Sequence, residues 1–226
     1  MNPKSKIDGV QELTRRAFGH RGITTAALAA AGVAVASQPA AAAGTGLPNL
    51  YPRWNAMLFN GIRDDENAHQ AFLVTALGSA ARPKPTFRNL LQPNLRAFGA
   101  VSMALENTGT GAYLGAVPII FSKQYLAAAG SIALIEARHS GYLNVLFNLD
   151  TTVNALGTQQ EFETPLTVAQ VVNLASPFIA GLNGGPPLTF NATPSRANDI
   201  AILNFALALE YLEAEFYNTN VPVYFP

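Results

Sequence analysis

The sequence predicts an all-α protein, a four-helix bundle with one extra short helix in a long crossover. Apolar residues recur at steps of three and four along several long stretches, the period of an amphipathic helix, and no stretch makes a convincing strand. In addition, both histidines beyond residue 43 lie three residues after a glutamate, as Glu66–His69 and Glu136–His139. This spacing places a carboxylate and an imidazole on one face of a helix, where together they can bind a metal ion.

The first 43 residues have the layout of an export signal, so we expect the folded domain to comprise residues 44–226. Basic side chains are followed by an apolar run at residues 23–35 and by an Ala-x-Ala-like cleavage site at residues 41–43. Residues 14–18, Thr-Arg-Arg-Ala-Phe, resemble the twin-arginine motif of a pathway that carries folded proteins. The expected location is periplasmic or extracellular after cleavage, or membrane-anchored if the signal is retained.

The composition of residues 44–226 excludes several kinds of protein. They hold 9 basic and 12 acidic side chains, and no basic block indicates nucleic-acid binding. The chain contains no cysteine, which excludes disulfides and thiolate metal sites. A bound metal must therefore have oxygen and nitrogen ligands, which suits iron, manganese or zinc.

The first two predicted helices are bounded by glycine and proline. The first covers about residues 52–77 and ends at Gly78, a plausible C-terminal stop. The second begins near Pro93, a good first-turn residue. It must end before Pro118, because proline cannot continue a helix.

The later helices begin at hydroxyl side chains. Ser122 is a plausible N-cap for the third long helix. A short helix follows at about residues 167–176, and Pro177 interrupts it. The fourth long helix begins at residues 195–199 and runs to about residue 218.

The second and fourth long helices each carry a glutamate two turns before a tyrosine, Glu106–Tyr113 and Glu210–Tyr217. Glu106 lies among apolar residues, and burying an unpaired carboxylate costs several kcal/mol. A metal would compensate that charge. In chain order the motifs alternate between Glu-x-x-His and Glu-x6-Tyr, which is a two-fold internal repeat of helix pairs.

These motifs resemble those of the ferritin-like superfamily, specifically exported ferritin-like domain proteins related to plant desiccation-related proteins. The similar stretches are residues 65–69, 105–109, 136–139 and 204–217, and the resemblance covers nearly all of residues 44–226. It implies a ferritin-like four-helix bundle with a dinuclear metal centre, of which two iron ions are the expected occupants and manganese or zinc the alternatives.

Six metal ligands are expected: Glu66, His69, Glu106, Glu136, His139 and Glu210. Each Glu-x-x-His pair is expected to serve one ion. Glu213 lies one turn beyond Glu210 and is either the ligand in its place or a residue that supports the ligands. Tyr113 and Tyr217 are expected to pack beside the site and hydrogen-bond to it. Gly109 and Gly111 permit a close helix contact or mark a local bulge.

The order of the motifs departs from that of the superfamily, in which a Glu helix comes first. Here a segment matching that helix, residues 204–217, closes the chain. We interpret this order as a circular permutation within one chain, the alternative being a domain swap in which the last helix completes a neighbour's bundle.

Two functions are compatible with these features. One is a di-iron oxidase or ferroxidase-like activity that uses dioxygen or peroxide and protects against oxidative stress. The other is a stress- or desiccation-associated helical bundle with an empty or vestigial metal site, acting through stability or partner binding. An alanine-rich, sparsely charged surface slightly favours a homo-oligomer.

Overall fold

The computed structural model describes residues 46–48 and 53–226. The helices of this part are α1 Trp54–Leu77, α2 Leu95–Ala116, α3 Lys123–Leu146, α4 Val168–Ala175 and α5 Arg196–Tyr224. Two short strands, β1 Thr86–Phe87 and β2 Ile179–Gly181, pair antiparallel. The predicted all-α class is confirmed, whereas the predicted export signal lies outside the described residues. Within the described ranges no helix combines the length and the apolar character that crossing a bilayer requires.

Most helix ends follow from local side-chain chemistry. α1 ends at Gly78, whose φ of 54° lies in a region that favours glycine. α2 begins at Leu95, two residues after Pro93, because the Asn94 side chain caps it by accepting a hydrogen bond from the Ala97 amide. Ser122 caps α3 as expected, by accepting from the Tyr125 amide. These caps satisfy backbone amides that have no partner within the helix.

The end of α5 was predicted about six residues too early. The helix continues past residue 218 to Tyr224 and includes Pro222 in its last turn. Packing explains the extension, since Val221 is fully buried. The buried Asn220 accepts from the Gln92 amide and donates to the Leu90 carbonyl, both in the segment before α2. Tertiary contacts thus hold a turn that the local sequence favours only weakly.

The strand pair is a second departure from the prediction. β1 and β2 are two and three residues long, too short to carry an alternating pattern. They join the α1–α2 connection to the segment after α4. A hydrogen bond beside the strands supports this junction: the Arg88 amide, just after β1, donates to the Phe178 carbonyl at 2.8 Å.

The four long helices form two antiparallel pairs. α1 packs along α5, and α2 packs along α3. Phe59, near the start of α1, stacks on Phe225 just after α5, while Leu73 at the far end of α1 clusters with Leu203 near the start of α5. The rings of Phe59 and Phe98 lie 4.9 Å apart. The starts of α1 and α2 therefore lie at the same end of the bundle, and the α1–α2 connection runs back along the length of the bundle.

Apolar clusters fill the bundle on both sides of its middle. The larger one surrounds Phe59, Phe98 and Phe216, which are fully buried. At the opposite end, Leu77 and Leu207 belong to a separate cluster. Between them lie the buried glutamates and histidines that the sequence singled out.

Candidate metal centre

Each long helix contributes one glutamate to the middle of the bundle. Glu66, Glu106 and Glu136 have no solvent-exposed surface, and Glu210 has 1%. They come from α1, α2, α3 and α5 respectively. Each lies on the inward stripe of its helix, as the apolar periodicity predicted. Burying four carboxylates in one interior region requires compensation by cations or bound protons.

The two histidines direct Nδ1 toward these carboxylates. Nδ1 of His69 lies 3.3 Å from Glu66 Oε2, 3.4 Å from Glu136 Oε1 and 3.5 Å from Glu210 Oε2. Nδ1 of His139 lies 2.9 Å from Glu106 Oε2 and 3.2 Å from Glu66 Oε1. One ring nitrogen carries at most one proton, so it cannot make a full hydrogen bond to each of two or three oxygens.

The six side chains form two overlapping groups, in each of which the potential ligand atoms lie within 4.8 Å of one another. Their members are Glu66, His69, Glu136 and Glu210 in one, and Glu66, Glu106, Glu136 and His139 in the other. Glu66 and Glu136 belong to both groups. Both motif glutamates therefore have an oxygen within reach of either group, and the division of one ion to each Glu-x-x-His pair stays a prediction.

Tyrosines support the two glutamates that belong to one group only. The Tyr113 hydroxyl donates to Glu210 Oε1, and the Tyr217 hydroxyl donates to Glu106 Oε1 at 2.6 Å. Burial and the neighbouring carboxylate raise the pKa of each phenol well above its usual value. Both tyrosines therefore remain protonated donors that orient a carboxylate.

Asp65 was missed by the sequence reasoning. Its Oδ2 lies 3.1 Å from Nε2 of His139, on the side of the ring that faces away from the glutamates. The residue next to Glu66 in sequence thus contacts a ring on another helix. Its position directly before a Glu-x-x-His motif was the only local signal.

Glu213 is buried, with 3% exposure, but it belongs to neither group. Burial and the charge of Glu136 raise its pKa well above the usual value, so we expect a neutral acid. Gly109 lies close to both Glu213 and Glu136. An added Cβ at Gly109 would lie 3.5 Å from Glu213 Oε1 and 2.5 Å from Glu136 Oε2. The geometry places Glu210 in the group, with Glu213 beside it.

Gly109 and Gly111 of α2 have different close contacts. Gly109 faces Glu136, whereas an added Cβ at Gly111 would lie 2.6 Å from Leu166 in the crossover between α3 and α4. The α2 helix is regular through both positions. Close approach is therefore the reason for these glycines, and the alternative of a bulge is wrong.

The ionisable groups of the centre shift one another's pKa values. Burial and the charge of Glu106 raise the pKa of Glu66 to about 7. Burial and Glu66 raise the pKa of Glu136 well above its usual value. Burial opposes protonation of His139, but Glu106 and Glu66 outweigh it and raise the pKa to about 11. The metal-free centre therefore holds protons that neutralise part of its negative charge.

Protons alone leave the centre incompletely satisfied. Glu66 Oε1, both oxygens of Glu136 and Glu210 Oε2 are buried without a hydrogen-bond partner. Such orphaned carboxylate oxygens are costly, and a metal ion is one group that satisfies them. Ligands at about 2.1 Å from an ion lie roughly 3 to 3.5 Å from one another, which matches the measured nitrogen–oxygen distances. The residues present thus fit two divalent metal ions.

The sequence relationship agrees with the fold and the donor set. A family model described as a ferritin-like domain matches residues 11–149 and 198–223, more than half of the chain. This chain belongs to the ferritin-like domain family. No curated protein and no solved structure matches it. In this ferritin-like protein, the family model leaves residues 150–197 unmatched. These residues contain α4 and β2 and lie in the long connection between α3 and α5.

Proposed function

We propose that this ferritin-like protein holds a dinuclear iron centre and uses it to oxidise ferrous iron at the expense of dioxygen or peroxide. The proposal rests chiefly on one observation: four buried carboxylates converge with two imidazole nitrogens and leave several oxygens without partners. Four carboxylates carry four negative charges. Two divalent ions balance that charge when both imidazoles are neutral, which favours two metal positions.

The roles of the individual side chains follow from their placement. Glu66 and Glu136 would bridge the two positions because they belong to both groups. Glu106 with His139, and Glu210 with His69, would each complete one position. When bound, two ferrous ions supply the two electrons that reduce one peroxide to water.

The surrounding protein would control water and protons. Tyr113 and Tyr217 hold the terminal carboxylates in place. The apolar clusters at both ends of the bundle restrict bulk water, which strengthens electrostatic interactions within the centre. Glu66, with a pKa raised to about 7, would give up its proton when a metal takes its place.

Metal analysis followed by an oxidation assay tests the function. Protein exported in its native host should contain close to two iron ions per chain, and the metal-free protein should oxidise added ferrous iron faster than buffer does. Manganese or zinc in place of iron would redirect the proposal to another metal. A protein without bound metal, and without affinity for it, would leave the alternative of a structural or partner-binding bundle.

Export is part of the same proposal. The basic, apolar and Ala-x-Ala succession in residues 1–43 supports a cleaved signal, and a twin-arginine-like motif suits a protein that acquires its metal before transport. Mass spectrometry of the exported protein should find an N-terminus near residue 44. An intact Met1 would contradict cleavage. Light scattering of the same sample measures whether the bundle forms the expected homo-oligomer.

We also propose that the helix order of the ferritin-like superfamily is circularly permuted in this chain. The observations that support it are the position of the Glu210 helix after the other three long helices and its antiparallel packing on α1 of the same chain. Phe225 after α5 stacks on Phe59 in α1, so the two chain ends of the bundle are neighbours. A short hairpin connection between them would restore the usual order.

A further inference from the structure

The two halves of the proposed metal centre differ in how completely their polar atoms are hydrogen-bonded. The inference drawn from this difference rests on the function proposed above. In the half formed by Glu106 and His139, every polar atom has a partner. Glu106 Oε1 accepts from Tyr217 at 2.6 Å, and Oε2 lies 2.9 Å from His139 Nδ1. Nε2 of His139 lies 3.1 Å from Asp65.

In the half formed by Glu210 and His69, some polar atoms have no hydrogen-bond partner. Tyr113 donates to Glu210 Oε1, but Glu210 Oε2 is buried without a hydrogen-bond partner. Nδ1 of His69 faces three carboxylates at 3.3 to 3.5 Å. Among the described residues, none makes a hydrogen bond or ion pair with Nε2 of His69.

The difference originates at one position of the internal repeat. The residue before the glutamate is Asp65 in the first Glu-x-x-His motif and Ile135 in the second. Asp65 on α1 contacts His139 on α3. In the two-fold repeat of the motifs, Ile135 on α3 is the counterpart of Asp65 on α1, and its side chain offers no acceptor.

We propose that Asp65 makes the two metal positions unequal, so that the Glu106–His139 position fills first and the Glu210–His69 position holds a weaker, exchangeable ion. A carboxylate on Nε2 fixes the ring tautomer and leaves the Nδ1 lone pair directed at the metal. The carboxylate also makes Nδ1 a stronger electron-pair donor to the metal. His69 lacks this partner and must be oriented as the ion binds.

The test is a titration of the metal-free full-length protein with cobalt(II), followed by visible absorption and calorimetry. The wild-type protein should bind two ions in two steps whose dissociation constants differ at least about tenfold. Asp65→Ala should weaken the tighter step by about 10- to 100-fold and leave the weaker one unchanged. Asp65→Asn, which keeps an acceptor oxygen, should recover part of the loss.

Three further variants complete the experiment. Asp64→Ala removes the same charge from a neighbouring exposed side chain that pairs with Arg63, so both steps should match the wild type. Ile135→Asp supplies the missing acceptor and should tighten the weaker step. His139→Ala should abolish the tighter step and His69→Ala the weaker one, which assigns each step to its half.

The outcomes separate this inference from the function on which it rests. Absence of cobalt binding by the wild-type protein would reject the dinuclear centre itself. Two equal steps in the wild type, or an equal effect of Asp65→Ala on both steps, would leave the centre standing and overturn the inequality. Thermal unfolding of each metal-free variant identifies a loss of binding that comes from misfolding. If Asp65→Ala misfolds, Ile135→Asp decides the question, because the inference requires it to tighten the weaker step.

Discussion

The carboxylate of Glu136 occupies the space that a side chain at Gly109 would need. An added Cβ at Gly109 would lie 2.5 Å from Glu136 Oε2 and 3.1 Å from its Cδ, distances at which something must shift. Gly109 therefore makes room for a glutamate that reaches both halves of the centre. A glycine within a helix destabilises it by about 1 kcal/mol relative to alanine. Gly109 therefore lowers the stability of α2 but allows Glu136 to occupy its position.

Gly109→Ala should accordingly displace Glu136 and lower the affinity for both metal ions. Calorimetric titration with cobalt(II) should show weaker binding in both steps. The matched control is Gly61→Ala in α1, where an added Cβ meets nothing within 4 Å. That variant should raise the free energy of unfolding by roughly 0.5–1 kcal/mol and bind metal normally. Normal binding by Gly109→Ala would show that Glu136 adjusts without loss.

The sharing of Glu66 predicts different stoichiometries for two similar substitutions. Glu66→Gln removes an anionic ligand from both groups, whereas Glu210→Gln removes one from the His69 group only. We expect Glu210→Gln to retain about one tightly bound ion per chain and Glu66→Gln to retain almost none under the same conditions. Metal analysis after dialysis measures both. Equal stoichiometries would contradict the bridging position of Glu66.

Much of this centre could be predicted because each glutamate and histidine lies on a helix stripe whose period is visible in the sequence. Glu106 is a good example, since an acidic residue in an apolar helix requires a partner wherever the helix packs. Asp65 could not be predicted in the same way. Its contact with His139 depends on how α1 and α3 face each other, which no local pattern encodes.

The missed features of the fold have the same origin. The last turn of α5 is stabilised by the burial of Asn220 and Val221 and by bonds to the segment before α2. The pairing of Thr86 with Gly181 joins residues that are distant in sequence and too few to show an alternating pattern. In both cases tertiary contacts outweigh a weak local preference.

Tyr217 should contribute both to stability and to metal affinity. Tyr217→Phe leaves Glu106 Oε1 without its donor at 2.6 Å, and the free energy of unfolding should fall by about 1–3 kcal/mol. The affinity for the first metal ion should fall as well. Tyr142→Phe removes a hydroxyl that donates to Asn55 and serves as the control, with reduced stability and unchanged affinity. Denaturant unfolding and metal titration distinguish the two variants.

Metal binding should become tighter as the pH rises from 6 to 8. The pKa of Glu66 is raised to about 7 and that of His139 to about 11 in the metal-free centre, so protons occupy groups that the metal needs. Displacing the proton of His139 adds about a tenfold gain in affinity per pH unit, whereas displacing that of Glu66 adds about tenfold in total over this range, because Glu66 loses its proton near pH 7 in any case. Calorimetry in two buffers of different ionisation enthalpy counts the protons released. An affinity independent of pH in this range would contradict protonated ligands.

The packing of the chain ends permits a direct test of the permutation. Leu47 and Phe225 pack on the same apolar cluster, so a flexible linker of about eight Gly and Ser residues, with an r.m.s. span of about 15 Å, should join residue 226 to residue 46. New ends belong between Glu161 and Phe162, which are exposed. The motif order then starts with the Glu210 helix, as in ordinary ferritin-like proteins.

This relinked chain should fold to the same bundle because every packed helix keeps its neighbours and only exposed connections change. Its helical content by circular dichroism should match that of the natural order, and it should bind the same number of metal ions. A second rearrangement, with the same linker but new ends inside α2 after Ser102, cuts a buried helix and should not fold. If the first variant unfolds or loses its metal while remaining monomeric, the neighbouring ends of α1 and α5 do not reflect an interchangeable connection.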